Sequence, residues 1–379
     1  MAVERLLPTT EARELIQLTR DIADKVLAPI VDECERAESY PDGVFARLGE
    51  AGLLSLPYPV EWGGGGQPYE VYLQVLEEIA ARWAAIAVAV SVHSLACHPM
   101  LAFGTEEQKR RWLPEMLGGN TIGAYSLSEP QAGSDAAAVA CKAAPVDGGY
   151  LVNGTKAWIT HGGIADFYNL FARTGGGPRG ISCFLVPRET IGLTFGKPEQ
   201  KMGLHAVPTT TAHYDDAFLP VERRIGTEGQ GLQIALSALD SGRLGIAAVA
   251  TGLAQAALDE AVAYAKERSA FGKPIIEHQG LGFLLADMAA AVDSARATYL
   301  DAARRRDAGL AYSRQASVAK LIATDAAMKV TTDAVQVFGG YGYTRDFRVE
   351  RYMREAKITQ IFEGTNQIQR LVIARSLAH

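Results

Sequence analysis

Residues 356–367 read Ala-Lys-Ile-Thr-Gln-Ile-Phe-Glu-Gly-Thr-Asn-Gln and place one glutamate, Glu363, directly after an apolar pair and before a glycine. Against Ile361 and Phe362 the carboxyl group would lose contact with water, which disfavours its charged form and raises its pKa. A carboxylate whose pKa lies near neutrality suits a general base. The alternative is a solvated glutamate in the first turn of the last helix, and this stretch alone favours that simpler interpretation.

Two further segments combine residues that suit a flat or phosphorylated ligand. Residues 124–135, Ala-Tyr-Ser-Leu-Ser-Glu-Pro-Gln-Ala-Gly-Ser-Asp, form a hydroxyl-rich stretch in which Gly133 permits close backbone approach. Residues 156–160, Lys-Ala-Trp-Ile-Thr, put Trp158 and Thr160 on the same face of a strand, where they could flank a heteroaromatic ring. An ordinary turn and a core tryptophan are the alternatives for these two segments.

The spacing of apolar residues changes twice along the chain and predicts an α–β–α order. From about Thr10 to Asn120 the chain reads as helices, with an amphipathic stripe from Glu11 to Ile30. A period of two takes over from Thr121 to Gly226, and long helical stripes follow. These changes predict an N-terminal helical domain at 1–120, a middle β domain at 121–226 and a C-terminal helical domain at 227–379.

Local signals predict the elements within these domains. Thr105, followed by Glu106 and Glu107, is typical of a helix N-cap with acidic residues in the first turn. Asn153-Gly154 predicts a hairpin turn between strands at 150–152 and 156–159. Further strands are predicted at Phe167–Ala172, Gly180–Val186 and Ala212–Leu219. Four long helical elements that suit a bundle are predicted at Leu232–Arg268, Gln279–Ala308, Tyr312–Phe338 and Arg348–Leu377.

Composition and charge argue against several classes of protein. The 379 residues contain 37 Lys and Arg against 43 Asp and Glu, and this net charge of −6 disfavours nucleic-acid binding through an overall positive field. The 4 cysteines form no CxxC pair, which favours a reducing compartment. The longest apolar stretch, Trp83 to Val92, is too short to span a bilayer, and the N-terminus lacks an apolar leader. We therefore expect no membrane insertion and a bacterial-like cytoplasmic location, with a processed mitochondrial matrix form as the alternative.

Motifs for other chemistries are incomplete. No GxGxxG follows a strand and no GxxxxGK[ST] occurs, so neither a Rossmann site nor a P-loop is predicted. His93, Cys97 and His98 offer candidate zinc ligands on one helix, but nothing nearby completes a site, and we expect no metal. The run Gly63–Gly66 could cradle a phosphate, although a flexible loop between helices is the preferred interpretation.

Considered together and in order, the separated motifs closely resemble the acyl-CoA dehydrogenase family over nearly the whole chain. The matching segments are residues 104–109, 125–135, 156–160, 267–274, 277–279, 336–342 and 361–370. The resemblance implies an α+β multidomain fold with an N-terminal helical domain, a middle antiparallel β-barrel and a C-terminal four-helix bundle. It also implies FAD bound without a Rossmann fold, a homotetramer, and reoxidation by an electron-transfer flavoprotein.

The reaction implied by this resemblance is α,β-dehydrogenation of an acyl-CoA thioester to the trans-2-enoyl-CoA. Glu363 would remove the α-proton while the β-hydride passes to flavin N5. The backbone N–H of Glu363 and a ribityl hydroxyl of FAD would stabilise the developing enolate. Members of the family carry the base either here or on a helix near residues 239–243. Because that second position is Gly242 in this sequence, Glu363 is the candidate base.

The resemblance also implies ligand contacts, residue by residue. For the flavin ring they are Tyr125, Leu127, Ser128, Trp158, Ile159 and Thr160. For the rest of FAD, in part from a neighbouring subunit, they are Ser134, Arg268, Phe271, Gln279, Gln336, Gly339, Gly340, Thr365 and Gln367. For the acyl-CoA they are Ser134, Asp240, Arg243 and Gly364. The alternatives are a surface ion pair for Asp240 and Arg243, and a surface cation for Arg268.

A few positions depart from the family pattern. His205 replaces a usual arginine, Val207 a usual small polar residue, and Ala270 a usual threonine. Ala87 stands where glutaryl-type relatives carry an arginine, so a dicarboxylyl-CoA is disfavoured. The expected substrate carries a short, medium or simply branched acyl chain. The alternatives are an oxygen-using acyl-CoA oxidase or monooxygenase-like relative, and a non-catalytic partner subunit of a heteromeric complex.

Overall fold

A computed structural model describes residues 3–378, and its first part is helical, as predicted. The six α-helices of this part are α1 (Thr10–Ile22), α2 (Val31–Ala37), α3 (Val44–Glu50), α4 (Tyr69–Ala80), α5 (Ala84–Phe103) and α6 (Glu106–Leu117). The predicted helix from Glu11 to Ile30 is too long, because α1 passes into a π-helical turn at Ala23–Leu27. The predicted N-cap of α6 is confirmed: Thr105 and Gln108 exchange two hydrogen bonds, which satisfy N–H groups that the helix itself leaves free.

The second part is a mostly antiparallel sheet. Its strands are β1 (Gly123–Ser126), β2 (Lys142–Val146), β3 (Gly149–Thr160), β4 (Phe167–Arg173), β5 (Ile181–Pro187), β6 (Leu193–Phe195), β7 (Thr209–Pro220) and β8 (Arg224–Ile225). They are ordered β6-β7-β3-β2-β4-β5-β8, and β1 pairs with β4. The pairings of β1 and β2 with β4 are parallel, which the sequence pattern did not indicate.

The predicted hairpin at Asn153-Gly154 is wrong. Strand β3 runs straight through these two residues, and the register to β7 shifts between Val152 and Gly154. The glycine is needed for close packing rather than for a turn, since a Cβ at Gly154 would lie 2.7 Å from Cys141 Cα. The hairpin turn lies earlier, between β2 and β3, where Gly148 has a φ of +75°.

The third part is helical and contains α7 (Gly231–Glu267), α8 (Gln279–Asp307), α9 (Ser313–Phe338), α10 (Val349–Thr359) and α11 (Asn366–Leu377). A short antiparallel pair, β9 (Ser269–Ala270) and β10 (Lys273–Pro274), follows α7. Helix α9 packs against α7, α8, α10 and α11. The single helix predicted from Arg348 to Leu377 is wrong, because a turn at residues 360–365 separates α10 from α11. The exact domain boundaries stay predictions.

Helix α7 joins the two helical parts through small residues on one side. A Cβ at Gly245 would lie 2.3 Å from Ser91 Oγ on α5, and one at Gly252 would lie 2.3 Å from the Glu77 carbonyl oxygen on α4. Side chains at these positions would push the helices apart, so the glycines permit the close contact. The same side of α7 carries Gly242, which faces the turn between α10 and α11.

Two helices are long and apolar enough to cross a membrane by length and composition alone, Ala84–Phe103 and Gly231–Glu267. The stretch Trp83–Val92 therefore underestimated the length of the apolar segment. In the described part of the chain, 78% and 72% of their most apolar windows are buried inside the protein, as in core helices.

Candidate active site

The turn between α10 and α11 presents Glu363 in an uncommon backbone conformation. Glu363 has a φ of +51° and Gly364 a φ of +90°. A left-handed conformation is costly for a residue with a side chain, and such residues cluster at functional sites. Trp158 (φ +61°) and Phe271 (φ +53°), two other predicted site residues, share this feature.

The carboxyl group of Glu363 is buried and lacks a hydrogen-bond partner. Neither of its oxygens has one among the residues that the structure describes. Gly242 provides the space that it occupies, because a Cβ at Gly242 would lie 2.1 Å from Glu363 Oε2 and 3.2 Å from Leu95 Cδ1. The predicted burial against Ile361 is wrong, since that side chain is 48% exposed, whereas Phe362 packs on the core.

Burial raises the pKa of Glu363 to about 7, opposed first by the charge of Lys320 and then by that of Arg243. This agrees with the predicted raised pKa, although the surfaces that exclude water differ from those expected. The backbone N–H of Glu363 also donates to no acceptor in the described part of the chain. The turn thus offers a proton acceptor and a free backbone donor on adjacent groups.

Next to Gly242 lies a small cavity of about 10 Å³, which we call the tyrosine cavity. It is lined by Pro57, Tyr58, Tyr69, Tyr72, Ser91, Ser94, Leu95, His98, Ser241, Gly242 and Arg306. Tyr58 and Tyr69 donate their hydroxyl protons to the backbone carbonyls of Ser94 and Ser241, which fixes both rings. The Arg306 guanidinium lies 3.6 Å from the centre of the Tyr69 ring, within the range of a cation–π contact.

The loop 124–135 and the segment 156–160 are brought together by Lys156. This fully buried lysine donates to the Leu127 carbonyl at 2.9 Å and to Glu129 Oε1 at 2.7 Å. Ala157 N–H donates to the Ser128 carbonyl at 2.8 Å. A buried lysine paired with a buried carboxylate holds the loop rigidly, because separating them would leave both charges unpaired.

The residues predicted to contact the flavin ring differ in their exposure to solvent. Trp158 is 63% exposed, and Thr160 beside it is half-buried. Strand β3 has a second register shift between Lys156 and Ile159, which turns the tryptophan side chain outward. Ile159 and Leu127 are buried in the core, so only their backbone groups are available to a ligand. Tyr125 packs on Phe171 and donates to the Ala235 carbonyl at 3.2 Å.

A second cavity, of about 540 Å³, is separate from the tyrosine cavity, and the two share no lining residue. Its lining includes three of the predicted FAD residues, Arg268, Gly339 and Gly340. Phe271, Gln279 and Gln336 are exposed, and Phe271 reaches 97%. Elsewhere, Ser134 and Gln367 are exposed, while Thr365 caps α11 by accepting from Ile368 N–H. The other predicted FAD residues line neither of the two described cavities.

Asp240 and Arg243 are not a surface ion pair. Their Oδ1 and Nη1 atoms lie 2.6 Å apart, and Arg243 is only 5% exposed. Ser313 also donates to Asp240 Oδ1, and Arg243 Nε has no partner among the described residues. The pair sits on α7 directly beside Gly242, so its polar groups border the candidate base.

Two of the three departures have structural roles. His205 N–H donates to Glu35 Oε2 at 2.8 Å, and its ring contacts the Glu35 and Lys201 carbonyls, so it ties the loop before β7 to α2. Val207 is buried in the core. Ala270 lies in β9, and nothing in the structure explains its replacement of threonine.

The weaker candidate sites have local explanations. His93 accepts from Gly123 N–H at 3.0 Å, and His98 contacts the Ser237 hydroxyl at 3.0 Å. Within residues 3–378, no group of three or more His, Cys, Asp or Glu is placed to hold a metal ion. Every backbone N–H of the run Gly63–Gly66 donates to a carbonyl within residues 55–60, so the run is a packed turn rather than an anion cradle.

Sequence patterns missed Lys320, whose side chain is fully buried beneath the Glu363 turn. Its signal was available: a single charge in the otherwise apolar helical run Val318-Ala319-Lys320-Leu321-Ile322-Ala323. A lysine on the buried face of a helix needs partners, and these come from a distant part of the chain. The three tyrosines of the tyrosine cavity were also missed, because the residues that surround them come from distant parts of the chain.

Family models match nearly all of the chain. They describe the N-terminal domain (residues 9–120), the middle domain (124–217) and the C-terminal domain (229–378) of acyl-CoA dehydrogenases. An acyl-CoA dehydrogenase of Bacillus subtilis (strain 168) is 44% identical over 372 residues, which cover 97% of this chain and 98% of that protein.

Solved structures show the same similarity. Butyryl-CoA dehydrogenase from Megasphaera elsdenii matches with a TM-score of 0.97 and 39% identity, covering 99% of this chain and 100% of that chain. A chain from a structure described as the electron transferring flavoprotein of Acidaminococcus fermentans, a study of flavin-based electron bifurcation, matches with a TM-score of 0.96 and 42% identity. That match covers 99% of each chain.

Proposed function

The chain belongs to the acyl-CoA dehydrogenase family, and from this premise we propose that it dehydrogenates a short-chain acyl-CoA with Glu363 as the base. It is an FAD-dependent oxidoreductase of the kind that acts in fatty acid oxidation. The observation that carries the proposal is the buried carboxyl group of Glu363, with two unpartnered oxygens and a pKa raised by burial to about 7.

The residues present fit FAD. Trp158 offers an exposed aromatic surface at a flat ring site, and Arg268 offers a cation beside a cavity. At Gly339 and Gly340 an added Cβ would meet nothing within 4 Å, so the backbone there is open to a ligand. We assign Tyr125, Leu127, Ser128, Trp158, Ile159 and Thr160 to the flavin ring. The rest of FAD falls to Ser134, Arg268, Phe271, Gln279, Gln336, Gly339, Gly340, Thr365 and Gln367. FAD, when bound, supplies the acceptor for the hydride that leaves the β-carbon.

Glu363 takes the α-proton in this proposal. A base whose pKa lies near the working pH combines a large ionised fraction with useful proton affinity. Its carboxylate needs no hydrogen bond to break before it accepts a proton, because neither oxygen has a partner among the described residues. The free N–H of Glu363 is suited to donate to the thioester carbonyl oxygen, where negative charge develops. Asp240, Arg243, Ser134 and Gly364 are the proposed contacts to the acyl-CoA.

The tyrosine cavity supports a short acyl chain. At about 10 Å³ it has room for about one water molecule, so any acyl chain must push side chains aside. Fixed side chains resist this: the Tyr58 and Tyr69 hydroxyls are bound to backbone carbonyls, and Arg306 stacks on Tyr69. A longer chain would have to displace more of these groups at the cost of their hydrogen bonds. The similarity to a butyryl-CoA dehydrogenase supports the same substrate size.

The remaining features of the proposal rest on the similar proteins. An electron-transfer flavoprotein is the proposed electron acceptor, supported by the match to a chain of the Acidaminococcus structure. A homotetramer is proposed because the family resemblance assigns part of the FAD contacts to a neighbouring subunit. A cytoplasmic location is proposed because a close relative is bacterial.

Anaerobic reduction by a panel of thioesters tests the proposal. FAD-reconstituted protein should be yellow and should bleach with butyryl-CoA faster than with octanoyl-, palmitoyl- or isobutyryl-CoA. Colourless protein after reconstitution, or no bleaching with any member of the panel, would contradict it. Bleaching fastest with palmitoyl-CoA would remove the short-chain assignment alone. In a separate measurement in air, peroxide formation from oxygen at the rate of substrate consumption would instead favour the oxidase alternative.

A further inference from the structure

The turn that carries Glu363 is held from below by helix α9. Lys320 Nζ donates to the Gly364 carbonyl at 2.8 Å and to Asn366 Oδ1 at 3.0 Å. Asn366 Nδ2 in turn donates to Thr324 Oγ1 at 2.9 Å and to Asp325 Oδ1 at 2.7 Å. Since Gly364 directly follows Glu363, the lysine fixes the peptide unit next to the base.

Lys320 is a buried cation without a carboxylate contact. It is 0% exposed, and within residues 3–378 no acidic oxygen lies within ion-pair distance of its Nζ. Burial lowers the pKa of Lys320 to about 7, and the charge of Glu363 is the largest effect opposing this shift. Lys320 is likewise the largest charge effect opposing the raised pKa of Glu363. Each group therefore favours the charged form of the other across a gap.

We propose that Lys320 is a positioning residue for Glu363, which holds the Gly364 carbonyl so that the carboxyl group lies over Gly242, and whose ammonium group stabilises the carboxylate form. This inference rests on Glu363 as the base. It extends the machinery of the reaction to a residue that contacts only the backbone beside the base and the side chain of Asn366.

Other charged or titratable groups near the pair do not replace Lys320. Tyr69 and Tyr72 on α4 and Tyr125 on β1 have pKa values raised by burial, so they stay neutral over the working range. Arg243 on α7 is paired with Asp240, and Asp325 on α9 is paired with Arg370 at 3.0 Å. Among the described residues around Glu363, Lys320 is therefore the cation whose charge is not already paired with a carboxylate.

The direction of the expected effect follows from the charges. A nearby cation favours the ionised carboxylate, so removing it raises the pKa of Glu363. The rate of flavin reduction requires the ionised base and should rise with pH through about 7 in the unmodified protein. In Lys320→Met the midpoint of that rise should move upward by about one pH unit. In Lys320→Arg, which keeps the charge, the midpoint should stay near that of the unmodified protein.

Thr324→Val is the matched control. The Thr324 hydroxyl contacts Asn366 in the same buried network, yet the substitution changes no charge. It should loosen the turn and leave the midpoint unchanged. A Lys320→Met protein with a uniformly lower rate and the midpoint of the unmodified protein would show a merely structural lysine and overturn the proposal. If Lys320→Met does not fold, Lys320→Gln keeps donors for the two oxygens without the charge and is measured in its place.

A second readout needs no turnover. Stability is measured for the unmodified protein, Glu363→Gln, Lys320→Met (or Lys320→Gln) and the double variant. The two sites should show favourable coupling near pH 7, where both groups are partly charged, and none at pH 5, where Glu363 is protonated. Absence of coupling at pH 7 would overturn the role of Lys320 even if every acyl-CoA test succeeds. Failure of every acyl-CoA to bleach the unmodified protein, with the coupling intact, would remove the proposed function instead.

Discussion

Glu77 and Glu363 both have buried carboxyl groups, but the surroundings of the two groups are opposite. The Glu77 carboxylate accepts from Arg5, from Arg296 at 2.9 Å and from the Tyr299 hydroxyl. Glu363 has no partner for either oxygen among the described residues. Burial favours a raised pKa at both sites; at Glu77 the charges of Arg5 and Arg296 outweigh it and lower the pKa, whereas at Glu363 burial prevails.

The difference separates a carboxylate that holds the fold together from one that is free to react. Glu77 lies on α4 and forms ion pairs with Arg5 of the N-terminal segment and with Arg296 of α8, so it links these three parts of the chain. Buried polar groups are nearly always satisfied in this way, so a buried carboxylate without partners needs an explanation. At Glu363 the explanation is an adjoining cavity and a glycine that leaves room for the side chain.

A third buried glutamate shows that a raised pKa alone does not identify a base. Burial raises the pKa of Glu355 to about 8, and its closest cation, Arg351, lies 3.9 Å away. Neither glutamate lines a described cavity itself, but the Glu363 carboxyl group lies against Gly242, which lines the tyrosine cavity, whereas Glu355 faces Arg351 of its own helix. Geometry and pKa together, rather than pKa alone, single out Glu363.

The largest effect is expected from Glu363→Gln on the reaction. The amide cannot accept the α-proton, so flavin bleaching by butyryl-CoA should slow by about 10⁴-fold, near the upper limit for a general base. FAD absorbance should be retained. The matched control is Glu355→Gln, which should bleach at the normal rate. Near-normal bleaching by Glu363→Gln would remove Glu363 from the role of base.

Glu77→Gln should have the largest effect on stability. Removing the negative charge takes the shared carboxylate from Arg5 and Arg296, which keep only Glu78 and the exposed Asp293 as partners, and this costs about 3 kcal/mol in free energy of unfolding. Denaturant unfolding at pH 7 measures the loss. The loss should shrink in acid, because the low pKa of Glu77 stabilises the fold only while the group is ionised. A loss below 1 kcal/mol, or slow bleaching by the protein that remains folded, would erase the distinction between the two glutamates.

The pH dependence of the free energy of unfolding also has opposite signs at Glu77 and Glu363. The pKa of Glu363 rises from an ordinary 4.5 to about 7 on folding. Folding therefore favours the protonated form, and the stability contributed at low pH is lost as pH rises from 4.5 through 7. Glu363→Gln removes this loss and should gain up to about 3 kcal/mol at pH 8 and nothing at pH 4. A variant less stable than the parent at pH 8 would contradict the unpartnered state of the carboxylate.

Periodicity in the sequence predicted the long elements well, because it reports burial directly. Helices α7, α8 and α9 begin and end within one residue of their predicted limits. Glu363 could be chosen because one residue, Gly242, excluded the other position. Local pairing signals were less reliable: Asn153-Gly154 has hairpin chemistry, yet β7 and Cys141 pack against it and hold the strand straight.

Contacts between distant residues could not be predicted from local patterns. The three partners of Glu77 lie 72, 219 and 222 positions away, and Lys320 contacts Gly364 across 44 positions. The positive φ of Glu363, Trp158 and Phe271 is also imposed by surroundings, since none of these residue types favours it. These features depend on how the helices pack, which the sequence pattern specifies only as buried or exposed faces.

The smallest effect on the reaction is expected from Gly242→Ala, which adds one methyl group beside the Glu363 carboxyl group. In Gly242→Ala the new Cβ would lie 2.1 Å from Glu363 Oε2, so the carboxyl group must move. A displacement of about 1 Å costs a reaction about 10²-fold, and bleaching should slow by that factor with FAD still bound. Gly252→Ala is the matched control, because its Cβ would lie 2.3 Å from the Glu77 carbonyl oxygen on the same side of α7, without reaching the base or a residue that lines either cavity. If both variants bleach equally fast, the position of the Glu363 carboxyl group does not limit the reaction. If only Gly242→Ala is slow, a single missing side chain on α7 is what lets this buried glutamate, unlike Glu77, act on a substrate.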